Sequence, residues 1–341
     1  MKYVPEHPRK VRGGAVHQAI AEKKLTILTR QREQEDVREV QLATVREDIE
    51  AKFLSPVPKN FIETDEVKRY IGKILLWLKT GYPVHIIGPT GCGKTALALQ
   101  AANLLGKPSV WVNGDEAINT TNLIGGYSKI EMTTIRDKFI HNVFKDKDTM
   151  EARWVSNPLT LACQYGYTLI YNEFSRSRPE ANNILLSVLE EGVLELPTKF
   201  GEDRYIKVHP DFSLLLTSNN MEYAGVHKPQ DALLDRIATI HMDYYNRDTE
   251  VKIVQAHSGL PKARAEKIVD VVRELRNILG GVEKPGTRIA IMIGQALQAT
   301  NGFGKDYLEE VCVDAMSSKF LGFDDVAKKR LLIKERIQKM L

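Results

Sequence analysis

Apolar and polar positions change rhythm three times along the chain. Up to about residue 58, apolar residues are sparse among alternating charges. Ile20, Leu25, Leu28, Val37, Val40, Leu42, Val45, Ile49 and Phe53 recur at approximate helical spacing, which predicts one or two amphipathic helices in a charged N-terminal arm. Pro56 and Pro58 close this segment. From Phe61 the pattern predicts a helix with Thr64 as N-cap and Val67, Ile71, Ile74 and Leu78 on one face, ending at Gly81. Apolar runs at 84–87, 109–112, 167–171 and 212–217 then alternate with helical stretches, so the fold class is α/β with a doubly wound parallel sheet and a ligand site at the carboxyl ends of its strands. Leu194-Glu195-Leu196 and 205–208, with Pro197, Gly201, Glu202 and Asp203 between them, predict a protruding hairpin. After about residue 246 strand signals stop, and helical periodicity over 251–256, 263–279, 288–299 and 308–316 predicts a small all-helical lid domain. Three segments are therefore expected: an arm over 1–58, an α/β domain over 59–245 and a helical domain over 246–341.

The chemistry concentrates where the strands end. Gly88-Pro89-Thr90-Gly91-Cys92-Gly93-Lys94-Thr95 follows the first apolar run and precedes a helix-forming stretch, the strand, phosphate loop and helix order of a nucleoside triphosphate site. Its glycines let backbone N–H groups curl around phosphate oxygens, Lys94 reaches the β- and γ-phosphates, and Thr95 offers its hydroxyl to Mg²⁺. Downstream, Leu169-Ile170-Tyr171-Asn172-Glu173 ends a neighbouring strand on a carboxylate. Glu173 is the candidate base that orients and polarises the attacking water. Asn172 stands where an acidic Mg²⁺ partner is commoner, and an amide keeps the acceptor while losing the charge, which lowers the expected Mg²⁺ affinity or turnover. Ser218-Asn219-Asn220 puts amides at a further strand end, where one of them can hold the water or the γ-phosphate, although such a cluster is also an ordinary turn. Arg236, closing Asp231-Ala232-Leu233-Leu234-Asp235-Arg236, either acts on the nucleotide of a neighbouring subunit or makes a surface ion pair. Arg288, after Pro285-Gly286-Thr287, either reaches the γ-phosphate from the lid or pairs locally.

Composition narrows the class further. A formal charge of +4 over 341 residues, without a Lys/Arg block interleaved with aromatics, gives no footprint of a nucleic-acid binder, so none is expected as partner. Cys92, Cys163 and Cys312 are too far apart for a zinc site or a disulfide framework. No signal peptide and no run of 18 apolar residues is visible, so no membrane association is expected and the cytoplasm is the expected compartment.

The order of phosphate loop, acidic strand end, strand-end Asn, arginine and lid arginine resembles the AAA+ ATPases, and among them the MoxR-type group. Narrower still, Arg176-Ser177-Arg178-Pro179-Glu180-Ala181-Asn182-Asn183, His209-Pro210-Asp211-Phe212, Glu222-Tyr223-Ala224-Gly225-Val226 and Gln230-Asp231-Ala232-Leu233-Leu234-Asp235-Arg236 resemble the gas vesicle protein N family, over about residues 61–299. The resemblance implies ATP as nucleotide with Mg²⁺, Gly88 to Thr95 as the nucleotide loop, Thr95 and Asn172 at the metal, Glu173 as hydrolytic carboxylate, Asn219 as strand sensor, Arg236 as trans-acting finger and Arg288 as lid sensor. It further implies a homo-oligomeric ring, a hexamer, that loads or remodels structural or accessory proteins during gas vesicle assembly, with insertions at 119–160 and near 197–203 facing the ring pore. Two other functions stay open at this point: a MoxR-type chaperone that activates a metabolic or metalloenzyme, and a nucleotide-gated scaffold with negligible turnover. Asn172 stands in place of the family's commoner Asp, and no counterpart can be placed for the charged arm to about residue 58.

Overall fold

Thr64 begins the first helix as its sequence context requires. Its hydroxyl accepts from the Val67 N–H at 3.3 Å, and Asp65 and Glu66 put negative charge into the first turn of α1 (Asp65–Lys79). The computed structural model describes residue 55 and residues 60–135, 147–196, 204–219, 227–279, 284–300, 305–317 and 323–340. The expected helices of the arm, the tip of the segment at 119–160 and the turn at 197–203 lie outside the described residues.

Beyond α1 the chain forms β1 (Val84–Gly88), α2 (Lys94–Leu104), β2 (Ser109–Asn113), α3 (Thr120–Ile124), a long antiparallel pair β3 (Gly125–Ile135) and β4 (Lys147–Ser156), α4 (Pro158–Tyr165) and β5 (Thr168–Asn172). A 3-10 turn (Phe174–Arg176), α5 (Pro179–Asn182), α6 (Ile184–Glu190), the hairpin β6 (Val193–Glu195) and β7 (Tyr205–Lys207), β8 (Ser213–Asn219), α7 (Asp231–Leu234) and β9 (Ala238–His241) follow. The last described elements are all helices: α8 (Arg247–Ser258), α9 (Lys262–Ile278), α10 (Thr287–Ala299), α11 (Lys305–Ser317) and α12 (Phe323–Met340).

Five strands make one parallel sheet in the order β2-β5-β8-β1-β9. Successive residues of β5 and β8 are buried on both sides of the pleat, as a sheet covered on both faces requires. Val84, Ile86, Ile170 and Leu215 pack with Val67, Ile71, Ile74 and Leu78 of α1 and with Leu97, Ala98, Ala101 and Ala102 of α2. A separate apolar cluster joins the late helices, with Val254, Ile268, Ile293, Leu297, Cys312, Ile333 and Ile337 at its centre. The α/β fold with a doubly wound parallel sheet and helical C-terminal region is thus the one expected. Among the elements not expected are β9, the β3–β4 pair and α12. Ala238-Thr239-Ile240-His241 is an edge strand with a single buried residue, so it offers no apolar run to read. Among the described residues no helix is long and apolar enough to cross a membrane.

Candidate functional site

Parallel pairing brings the reactive loops to one end of the sheet, because Gly88 lies opposite Asn219 and Asn113 opposite Asn172. The loop after β1 turns through Gly91 (φ 78°) and Gly93 (φ 99°), backbone angles that side chains resist, and delivers its amides to the start of α2 at Lys94. Lys94 is buried, and its ammonium donates to Gly88 O (3.0 Å), Pro89 O (2.8 Å) and Asn219 Oδ1 (3.0 Å), so all three of its protons have an acceptor. Burial pushes the Lys94 pKa below the ordinary lysine value, while Cys92 and Glu173 oppose that shift. Cys92, also buried, has its thiol pushed up by burial and is not a reactive thiolate.

Asn219 faces two ways. Its carbonyl accepts from Lys94 and from Thr90 Oγ1 (3.4 Å), and its amide nitrogen donates to Glu173 Oε2 at 2.8 Å. Glu173 is held in a left-handed backbone conformation (φ 54°, ψ 36°), uncommon for a residue with a Cβ, and this sharp turn at the end of β5 swings its carboxylate toward Asn219. The Arg176 guanidinium, one 3-10 turn on, approaches the same Oε2 at 3.3 Å. Asn172 Oδ1 accepts two hydroxyls, Thr95 at 2.9 Å and Thr217 at 2.8 Å, while its amide donates to Asn113 Oδ1 at 3.1 Å. The amide at position 172 is thus bonded on both sides, through its oxygen to two hydroxyls and through its nitrogen to Asn113. Thr217 also receives the Glu173 N–H at 3.3 Å, which ties the two strand ends together.

These groups open into a cavity of about 410 Å³. Residues 90–95, Glu173, Asn219 and Arg288 make its polar end, while Phe61, Leu99, Tyr245, Ile253 and Ile291 make an apolar one, a division suited to a ligand with a charged tail and a flat apolar head. Of the residues singled out in the sequence, Thr90 to Thr95, Glu173, Asn219 and Arg288 line the cavity, and Asn172 joins them through its bond to Thr95. Arg236 does not. It is partly exposed and is not among the residues lining the cavity, and it pairs with Glu190 Oε1 at 2.7 Å and with the Ala232 carbonyl.

Comparison with known proteins bears on what this arrangement does. Residues 83–237 match the model of the AAA domain (dynein-related subfamily). A protein of Haloferax mediterranei named gas vesicle ATPase GvpN is 46% identical over 97% of this chain and 96% of its own length. Gas vesicle ATPase GvpN2 of Halobacterium salinarum is 46% identical over 96% of each chain. The chain belongs to the gas vesicle ATPase GvpN family. More distantly it is similar to the protein CbbQ of Hydrogenophilus thermoluteolus, 26% identical over 63% of this chain and 74% of that one.

As a member of the GvpN family the chain is an AAA-class ATPase and so binds nucleotide. One expectation needs correcting. The match to the Haloferax GvpN runs over 97% of the chain, so most of the N-terminal arm does have a counterpart in a relative, although its alternating charges offered no motif by which to place it. Several contributors to this GvpN-family site escaped the sequence reading. Thr217 and Asn113 look like ordinary strand residues, and only the sheet register reveals them as partners of Asn172. Arg176 stands three residues after Glu173, a spacing that could have marked it as an ion-pair partner.

Proposed function

We propose that this GvpN-family ATPase works as a homo-oligomeric ring, a hexamer, and uses ATP hydrolysis to load or remodel a protein of the gas vesicle during its assembly. The observation that carries the hydrolytic part is the Lys94–Asn219–Glu173 chain, in which one amide side chain links the residue that would hold the γ-phosphate to the carboxylate that would orient water. Asn219 thereby registers the position of both. Thr95 and Asn172 set two uncharged oxygen donors side by side at 2.9 Å, a donor set that fits Mg²⁺, a hard cation that takes few protein ligands when nucleotide and water supply the rest. When bound with nucleotide, that ion supplies charge neutralisation at the phosphates. Arg288 would contact the nucleotide from the helical region over 246–341, acting as a lid domain, and Arg236, which does not line the cavity, would serve the site of an adjoining subunit. The β3–β4 pair and the β6–β7 hairpin would face the ring pore and engage the client polypeptide. The names of the two relatives at 46% identity support the gas vesicle as the site of action. Similarity to CbbQ, at 26%, gives the enzyme-activating alternative less support.

The test is steady-state ATP hydrolysis with Mg²⁺ across a protein concentration series, beside Lys94→Ala, Glu173→Gln and Arg236→Ala. The expected outcome is turnover per subunit that rises with oligomerisation and falls by about 10²-fold or more in Glu173→Gln, the lower range for loss of a general base. Nucleotide affinity should persist in Glu173→Gln and Arg236→Ala and be lost in Lys94→Ala. Turnover independent of concentration, or binding lost in Arg236→Ala, would overturn the ring reading.

A further inference from the structure

A carboxylate lies buried behind the cavity wall. Glu250, on α8, is 1% exposed, and a charge so placed is tolerated only when its oxygens are fully bonded. Its Oε1 accepts from Arg276 Nη2 at 2.7 Å and from Thr287 Oγ1 at 3.0 Å. Its Oε2 accepts from Arg273 Nη1 at 2.9 Å and Arg276 Nη1 at 3.3 Å. Arg276 completes its fork by donating Nε to the Pro285 carbonyl at 2.9 Å, and its guanidinium plane lies 3.9 Å from the centre of the Tyr244 ring.

The backbone that this pair holds is not an arbitrary one. Pro285 is gripped by Arg276 and Thr287 by Glu250, and Gly286 between them rests against the phosphate loop. A Cβ on Gly286 would come within 2.6 Å of Thr90 O and 2.9 Å of Gly91 O, so the two backbones touch where no side chain fits. The next residue but one is Arg288, which enters the cavity. A second arm reaches the same loop: Arg273 donates to the Tyr245 carbonyl at 3.1 Å, and the Tyr245 ring lies 3.4 Å from where a Gly93 Cβ would stand. Buried ion pairs seldom add stability over apolar residues of the same volume, so stability alone does not account for one whose bonds end on a turn against Thr90 and Gly91.

We propose that the Glu250–Arg276 pair is a positioning device for the nucleotide reaction: it presses the 285–287 turn onto the phosphate loop and so aims Arg288 at the γ-phosphate. This rests on the reading of Arg288 as a nucleotide contact. Because the turn and the loop touch, whatever the loop binds and the setting of α10 are coupled, and that coupling is reciprocal.

Thr287→Val deletes one hydroxyl and leaves the ion pair whole, Thr287→Ser restores the hydroxyl, and Arg276→Lys keeps the charge but loses the fork. Affinities for fluorescent ADP and for a fluorescent non-hydrolysable ATP analogue are measured with kcat, KM and the melting temperature. Thr287→Val is expected to weaken the ATP analogue about tenfold, the size of a hydrogen bond to a buried charge, and to change ADP less. Thr287→Ser should recover wild-type discrimination, and adding Thr287→Val to Arg288→Ala should cause no further loss. Should Thr287→Val not fold, Arg276→Lys takes its place with the same ordering expected. If Arg288→Ala lowers discrimination while Thr287→Val and Arg276→Lys shift only the melting temperature, or if the losses add, the positioning role is overturned. If Arg288→Ala itself leaves discrimination unchanged, the Arg288 reading falls and the proposal with it.

Discussion

The two walls of the cavity solve the problem of holding polar groups inside a protein in opposite ways. On the sheet side, neutral side chains do most of the bonding across strand ends: Thr95 and Thr217 donate to Asn172, and Asn219 stands between the Lys94 ammonium and the Glu173 carboxylate, with two carbonyls completing the shell of Lys94. On the helical side, full charges face each other, Glu250 against Arg276 and Arg273, and are kept away from the cavity behind the turn that carries Arg288. A web bonded largely through neutral side chains can give up one partner to a ligand at modest loss, which suits groups that meet substrate. An ion pair removed from water loses heavily when one member goes, which suits groups that must not move.

That contrast can be broken most forcefully at Glu250. Its replacement by Ala leaves Arg276 charged and buried, and about 3–5 kcal/mol of stability should disappear in denaturant unfolding followed by circular dichroism. A loss below about 1 kcal/mol would mean that the pair behaves like a surface salt bridge.

The sheet side responds instead to acid. His85 donates or accepts one hydrogen bond with Ser218 Oγ at 2.7 Å, and burial, aided by the nearby His241, lowers its pKa from 6.5 to about 4. The unfolded chain therefore binds the proton more readily. The stability linked to His85 is fully present above about pH 6.5 and drains away as pH falls from there toward 4, by about 2 kcal/mol between pH 7 and pH 5. Unfolding midpoints measured over that interval should fall steeply for the natural protein and more shallowly for His85→Gln, and parallel curves would remove His85 as the cause.

Asn172→Asp sharpens the comparison by replacing one of the neutral links of that wall with a charge. The Mg²⁺ concentration for half-maximal hydrolysis is expected to drop by up to about tenfold, as an added carboxylate strengthens a hard-cation site. An unchanged midpoint would separate Asn172 from the metal and leave it a purely structural link between Thr95 and Thr217.

What could be read from the sequence was whatever depends on neighbours in the chain. The loop from Gly88 to Thr95, the helix that Thr64 caps and the strands ending at Asn172 and Asn219 each carry their signal within a dozen residues. Hidden were features that only folding juxtaposes. Glu250 meets Arg276 across 26 positions and Thr287 across 37, and nothing in the local pattern of Arg247–Ser258 distinguishes a buried acid from the charged residues beside it. Arg288 was recognised but its support was not, because the support consists of a turn glycine and a carboxylate on another helix. α12 escaped for a different reason: among its described side chains only Ile333 and Ile337 are buried, on a helix rich in charge.

The parallel sheet has a consequence for how the molecule is made. Lys94 finds its partner Asn219 125 positions further along, and His85 finds Ser218 at 133. At synthesis rates of about 5–20 residues per second, the phosphate loop leaves the ribosome roughly 6–25 s before the strand that completes it. During that interval β1 exists with neither of its neighbours, β8 and β9, both of which are encoded later in the chain. The loop can therefore complete its bonds only after β8 has been made, and in a newborn chain β1 stays unpaired until then.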